Sequence, residues 1–366
     1  MKVDNGNIIS DDGKVLFYSI ENFVKDICEK DSCFICGIDK DKANFNDEHV
    51  IPRWILKRYE LFGQTISLPN EKKFKYGQYK ISCCIDCNSL LGINLEKKIS
   101  EGFKGDLDNS IIFFNKNRKL IFIWICLLYL KTHLRDRGFK YDFQKDTKIS
   151  DTYEWEHLHH IHCIARSIYT KVDIDEKVIG SMFLFPCINN NNKNLYDYID
   201  LYGTGTVLIR LGNFIIICVI NDSKLVSQLL KKQLIKINRP INAIQLRELY
   251  ARITYQNLRI IDKPKFGTVG NYAHSYIGIK AFIEKKILIA PYDAFVYGSL
   301  LYKTVKNDLY KAKNPLLIEK MNKKIEYIKQ GKWTFLFDED GNFAYRPEIV
   351  IDDEDEFLSS NSMELF

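Results

Sequence analysis

The sequence predicts an α+β protein, on three observations. Apolar residues recur at helical spacing in several segments, as at Leu91, Leu95 and Ile99. Short β-rich runs broken by turn residues alternate with them, as in Val207 to Leu211, Gly212-Asn213 and Phe214 to Ile220. Two C-x-x-C pairs, far apart in the chain, mark a point where distant segments are tied together. The 366 residues are 46% apolar and 27% charged, a balance that supports a buried core and argues against long disorder. With 19 Gly, 8 Pro and no short repeat, collagen-like and solenoid classes are excluded. The net charge of +6 permits nucleic-acid binding without demanding it.

The first fourteen residues are polar and acidic and contain no apolar signal core. The longest apolar run, Leu120 to Leu130, would cover roughly half a bilayer, so it predicts a buried helix and no membrane span. A reducing, cytoplasmic setting is therefore expected, in which ten cysteines do not form a disulfide framework. Cys126, Cys163, Cys187 and Cys218 lie in apolar surroundings and predict small core residues. Cys33 and Cys36 form one C-x-x-C pair, and Cys84 and Cys87 the other. A two-residue turn lets both thiolates of such a pair bind one tetrahedral zinc. Two pairs close a four-thiolate site with no open position, which makes the zinc structural. Cys83 competes with Cys84 for a ligand place, but Cys84 has the x-x spacing to Cys87; Cys28 is a spare.

Between the pairs lies Asn46-Asp47-Glu48-His49-Val50-Ile51-Pro52-Arg53, and Asn88 directly follows the second pair. This order of C-x-x-C, acid-His-apolar-apolar-Pro and C-x-x-C-Asn resembles the HNH endonucleases of the ββα-metal class. The resemblance covers about Cys33 to Glu96, under a fifth of the chain. It implies a zinc-stapled ββα-metal domain over residues 1–105. It implies that His49 is the general base that activates water, and that Glu48 and Asn88 hold a catalytic Mg or Mn ion. The substrate class it implies is nucleic acid, with DNA expected. The family's middle Asn falls here on Tyr79, so whatever braces the catalytic loop must be something else. Glu96 reads as reaching that ion through water or, more economically, as a solvated carboxylate. Arg53, Lys72, Lys73 and Lys75 are candidate phosphate contacts; the lysine-rich stretch from Glu71 to Lys80 reads equally as a solvated hairpin.

Residues 106–366 predict a mixed helical and antiparallel-strand region without a nameable motif. Asn109 to Arg137 predicts a hairpin or bend feeding a long buried helix, with a basic end that complements the helix C-terminus. Tyr153 to Thr170 predicts a helix carrying His157, His159, His160 and His162; no Cys or carboxylate motif accompanies them, so a metal role is not assigned. A strand at Gly180 to Phe185 and a two-residue-turn hairpin from Val207 to Ile220 follow. Helices are then expected at Lys224 to Ile237, Ile241 to Ile260 and Pro315 to Gln330. A hairpin is expected from Trp333 to Tyr345, and a solvated or disordered acidic run from Asp352 to Glu356. The function expected is a metal-dependent endonuclease in an anti-phage or restriction setting, with a defence partner protein or a second copy as partner. The rival readings are a zinc-stapled nucleic-acid binder that does not cut, and a regulatory protein acting through its C-terminal contacts.

Overall fold

The computed structural model describes all residues except 143–145, 153, 189–194, 202, 272–275, 310–314 and 348–366. The predicted acidic run at 352–356 lies outside the described residues. The chain is a mixed α+β protein built on small sheets, nearly all antiparallel. It divides into two compact units. The first joins Met1–Gly180 to Pro264–Ile283, and the second joins Ser181–Lys263 to the described residues from Glu284 onward. Residue 105 is interior to the first unit.

In the first unit, the strand Phe45–His49 pairs antiparallel with Lys80–Cys84, from Phe45 opposite Cys84 to His49 opposite Lys80. The helix Ile85–Leu91 follows the second strand directly and continues through a π turn, Gly92–Glu96, into Lys97–Gly102. Ile51 and Pro52 end the first strand, and Pro52 precedes the helix Arg53–Arg58, where its fixed φ and missing N–H cost nothing. The lysine-rich stretch is a hairpin, Thr65–Ser67 against Lys73–Lys75, with Lys72, Lys73 and Lys75 exposed.

The apolar run is part of a 19-residue helix, Arg118–Asp136. Every residue from Ile121 to Leu134 is buried, which is why its apolar residues form no one-sided stripe. It is preceded by a second helix, Leu107–Lys116, so the hairpin alternative does not hold. Asp106 caps that helix by accepting from the Asn109 N–H, and Asn117 marks the bend by donating to the Phe113 carbonyl. The His-rich segment forms a 3₁₀ turn, Trp155–Leu158, and short helices His159–Ala165 and Ser167–Thr170, in place of one continuous helix. A hairpin that the sequence reading did not single out, Lys265–Asn271 with Tyr276–Phe282, returns to this unit and pairs in parallel with Asp173–Ile174.

The second unit holds a four-stranded antiparallel sheet, in the order Met182–Pro186, Phe214–Val219, Thr206–Leu211, Tyr196–Asp200. Leu211 faces Phe214 across the predicted two-residue turn, and Gly212 supplies the positive φ of 66° that such a turn requires. The two central strands are buried at every position. The helices Leu225–Leu234 and Ala243–Arg259 bury Val226, Leu230, Leu246 and Leu249 against the sheet residues Ile215 and Ile217. Asn242 and Gln245 form a capping box that starts the second helix. The helices Ala294–Leu309 and Pro315–Lys329 follow. The expected last hairpin keeps its turn and a short pairing: Asp338 donates to the Asn342 carbonyl and Ala344 to the Leu336 carbonyl around the bridge of Phe337 with Phe343, while the Leu336 N–H donates to the buried Glu248 carboxylate.

Candidate metal centre and adjoining polar cluster

The four predicted cysteines come together. The sulfurs of Cys33, Cys36, Cys84 and Cys87 all lie within 4.8 Å of one another, and Cys36 and Cys84 are 3.7 Å apart. A zinc tetrahedron with Zn–S near 2.3 Å has edges of about 3.8 Å. The group could therefore hold a structural metal such as zinc, and it is the one such cluster among the described residues. The first pair sits in a tight turn in which the Gly37 N–H donates to the Cys33 carbonyl at 2.8 Å and the Cys33 N–H donates to Ile38. Gly37 has φ +77°, and a Cβ there would lie 1.9 Å from the Tyr18 hydroxyl, which itself donates to the Cys36 carbonyl. Glycine is thus required by both conformation and space. The second pair spans the end of the strand and the first turn of the helix Ile85–Leu91. Cys83 is the strand neighbour of Cys84 and so points to the opposite face. It remains 3.8 Å from Cys33, a fifth sulfur beside the group. Hydrogen bonds from Cys36, Cys83 and Cys87 push the Cys33 thiol down, which favours a thiolate in the centre of the cluster.

At the other end of the strand pair lies a polar cluster. The Lys131 ammonium donates to Glu48 Oε1 at 3.0 Å, to the His49 carbonyl at 2.9 Å and to Glu96 Oε1 at 3.2 Å. The lysine side chain is fully buried, and each carboxylate side chain is 16% exposed. Burial disfavours the lysine charge, but the two carboxylates outweigh it and hold the ammonium above its ordinary pKa. Burial raises the Glu96 carboxyl, and Lys131 opposes that rise. Glu96 is therefore an ion-paired member of the cluster and not a solvated residue. In the sequence Lys131 was legible only as part of a basic helix end; the structure buries it, and a buried lysine calls for a carboxylate partner.

His49 is half-buried, with its ring edge-on to Phe62 at 6.0 Å. Burial lowers its pKa, and the charges of Lys80, Arg53 and Lys131 act in the same direction against Glu48. The imidazole is therefore neutral near pH 7 and able to accept a proton. Asn88 donates from Nδ2 to Asn46 Oδ1 at 2.8 Å. Asn46 and Glu48 are two residues apart on one strand and share a face, so Asn46 links Asn88 to the face that carries Glu48. The sequence assigns roles to Glu48 and His49 and none to Asn46. At the position of the absent middle Asn, the Tyr79 carbonyl accepts from the Val50 N–H at 3.0 Å, and its hydroxyl donates to Asp136 at 2.6 Å. This buried tyrosine ties the segment after His49 to the long helix.

The other candidates separate. Arg53 is exposed, whereas neighbouring Arg58 is committed to the carbonyls of Ser100 and Phe103. The histidines of the 157–162 segment serve packing: His159 bonds the Tyr18 carbonyl, His160 stacks on Phe266 at 4.4 Å, and buried His162 bonds the Phe34 carbonyl inside the first cysteine turn. No helix among the described residues is long and apolar enough to cross a membrane. No family model, no curated protein and no solved structure matches this chain.

Proposed function

We propose that the protein is an HNH-type, metal-dependent endonuclease that hydrolyses phosphodiester bonds in nucleic acid, with DNA as the first substrate to test. The observation that carries the reading is one of placement. His49 and Glu48 end a strand whose antiparallel partner runs directly into the helix bearing Asn88, and the same strand pair leads into the four-cysteine cluster. Among the described residues, hydrogen bonding leaves Glu48 Oε2 and Asn88 Oδ1 open, hard donors that suit Mg or Mn. Such an ion, when bound, would stabilise negative charge on the phosphate and leaving oxygen. The chain's own part is to present a neutral His49 for removing a proton from water, with its backbone held by Lys131. The exposed Arg53, Lys72, Lys73 and Lys75 would meet the phosphate backbone. An anti-phage or restriction role, with a partner protein or a second copy, follows from the resemblance alone.

A second reading has its own observation. Glu48 already shares its charge with a buried ammonium, which suits a zinc-stapled module that binds nucleic acid without cutting. The two readings part in a plasmid cleavage assay with Mg or Mn, run on the intact protein and on His49→Ala. The nuclease reading expects cutting by the intact protein and a loss of about 100-fold or more in the variant, with binding retained. Cutting that survives His49→Ala removes the assigned base. Binding without cutting by the intact protein favours the second reading.

A further inference from the structure

The surroundings of Lys131 are those of a cation held by oxygen. Three acceptors, Glu48 Oε1, the His49 carbonyl and Glu96 Oε1, converge on Nζ at 2.9–3.2 Å and match its three N–H donors. Two carboxylates from separate segments share this single positive charge. One of them is the proposed metal ligand, and the third acceptor is the backbone of the proposed base. Resting on the nuclease reading, we infer that Lys131 is a positioning residue that acts as a resident cation: it anchors the His49 backbone and withholds Glu96 and one Glu48 oxygen from an incoming divalent ion.

Two effects of opposite sign follow. Removing the ammonium relieves like-charge repulsion toward a divalent ion and frees carboxylate oxygens, so the ion binds more tightly. The His49 carbonyl also loses its anchor, and a displaced base slows the chemistry. A lysine with a purely structural role would, when lost, weaken both binding and turnover.

The test uses the full-length, zinc-loaded protein. Binding of Mn²⁺ alone is followed by the electron paramagnetic resonance of the free ion, and plasmid cleavage is resolved into kcat and KM. The variants are Lys131→Met and the double change Lys131→Met with Glu96→Gln. The second keeps the net charge of the group and serves if the first does not fold. Both should hold Mn²⁺ about 10-fold more tightly, and kcat should fall about 100-fold with little change in KM. Adding Glu48→Gln should abolish the gain in Mn²⁺ binding. Unchanged or weaker Mn²⁺ binding in a folded variant overturns the inference, as does a gain that survives Glu48→Gln or a kcat that does not move. If the intact protein cuts nothing and the variants still bind Mn²⁺ more tightly, the resident cation stands and the nuclease reading falls.

Discussion

One strand pair carries both clusters, the sulfurs at its Phe45–Cys84 end and the Lys131 group at its His49–Lys80 end, yet the two are assembled by different means. Each cysteine pair is close in sequence: a tight turn holds Cys33 and Cys36, and the junction of strand and helix holds Cys84 and Cys87. The joining of the two pairs is long-range, and a metal bound by the four sulfurs would supply energy for it. The Lys131 group is long-range throughout. Its members come from a strand, a π turn and the buried 19-residue helix, and no spacing rule links them. A four-cysteine cluster therefore leaves a signature in sequence, whereas the partners of a buried lysine such as Lys131, which stands in a basic stretch from Lys131 to Arg137, leave none.

The sharpest way to break this comparison is at the sulfur end. Cys84→Ser, or prolonged chelation, should remove bound metal and unfold the first unit, a loss of several kcal/mol. Elemental analysis should find one zinc per intact chain and none in the variant, with a parallel drop in the melting temperature. Intact protein that carries no metal would refute the zinc assignment.

At the other end, Lys131→Met should cost about 3–5 kcal/mol, because it leaves two mostly buried carboxylates without their counter-charge. Glu96→Gln on that background should recover part of the loss. A denaturant double-mutant cycle measures the coupling, and additive effects would mean that the pair contributes nothing.

A smaller effect concerns pH. Burial holds the fully buried His162 well below its ordinary pKa, and Arg166 and His159 add to that shift. The unfolded chain then binds a proton near pH 6.5 that the folded chain refuses, so stability falls as pH drops below that value. Melting curves from pH 7.5 to 5 should show this slope, and His162→Gln should flatten it. Equal slopes for both proteins would show that His162 does not set it.

The smallest effect is expected for Tyr79→Phe, which removes the hydroxyl bonded to Asp136 but keeps the ring. A cost of about 1–2 kcal/mol in urea unfolding is expected. No measurable change would mean that the hydroxyl bond to Asp136 is not the brace.

Much of the second unit was legible because its signals are local. The Gly212-Asn213 turn and its flanking apolar runs specify a hairpin, and the helices Leu225–Leu234 and Ala243–Arg259 start and stop within a few residues of their expected places, whereas the helix Ala294–Leu309 and the strand Tyr196–Asp200 were not expected. The segment from Asn109 was harder, because Phe and Ile side chains suit either a strand or a helix until a cap such as Asp106 decides. The strands Lys265–Asn271 and Tyr276–Phe282 pair with each other, and the second also meets Asp173–Ile174, almost a hundred residues earlier, a contact that no local pattern announces.

Residue spacing alone established the α+β class, the four-cysteine cluster and the long buried helix. The class rests on local periodicity, the helix on an unbroken apolar run, and the cluster on two C-x-x-C pairs. The folded chain decided that Lys131 would face Glu48 and Glu96, that Tyr79 would bind Asp136 and that Asn46 would meet Asn88. Those partners are chosen by which buried charges and polar atoms must find each other once water is excluded, and that requirement exists only after the core has closed.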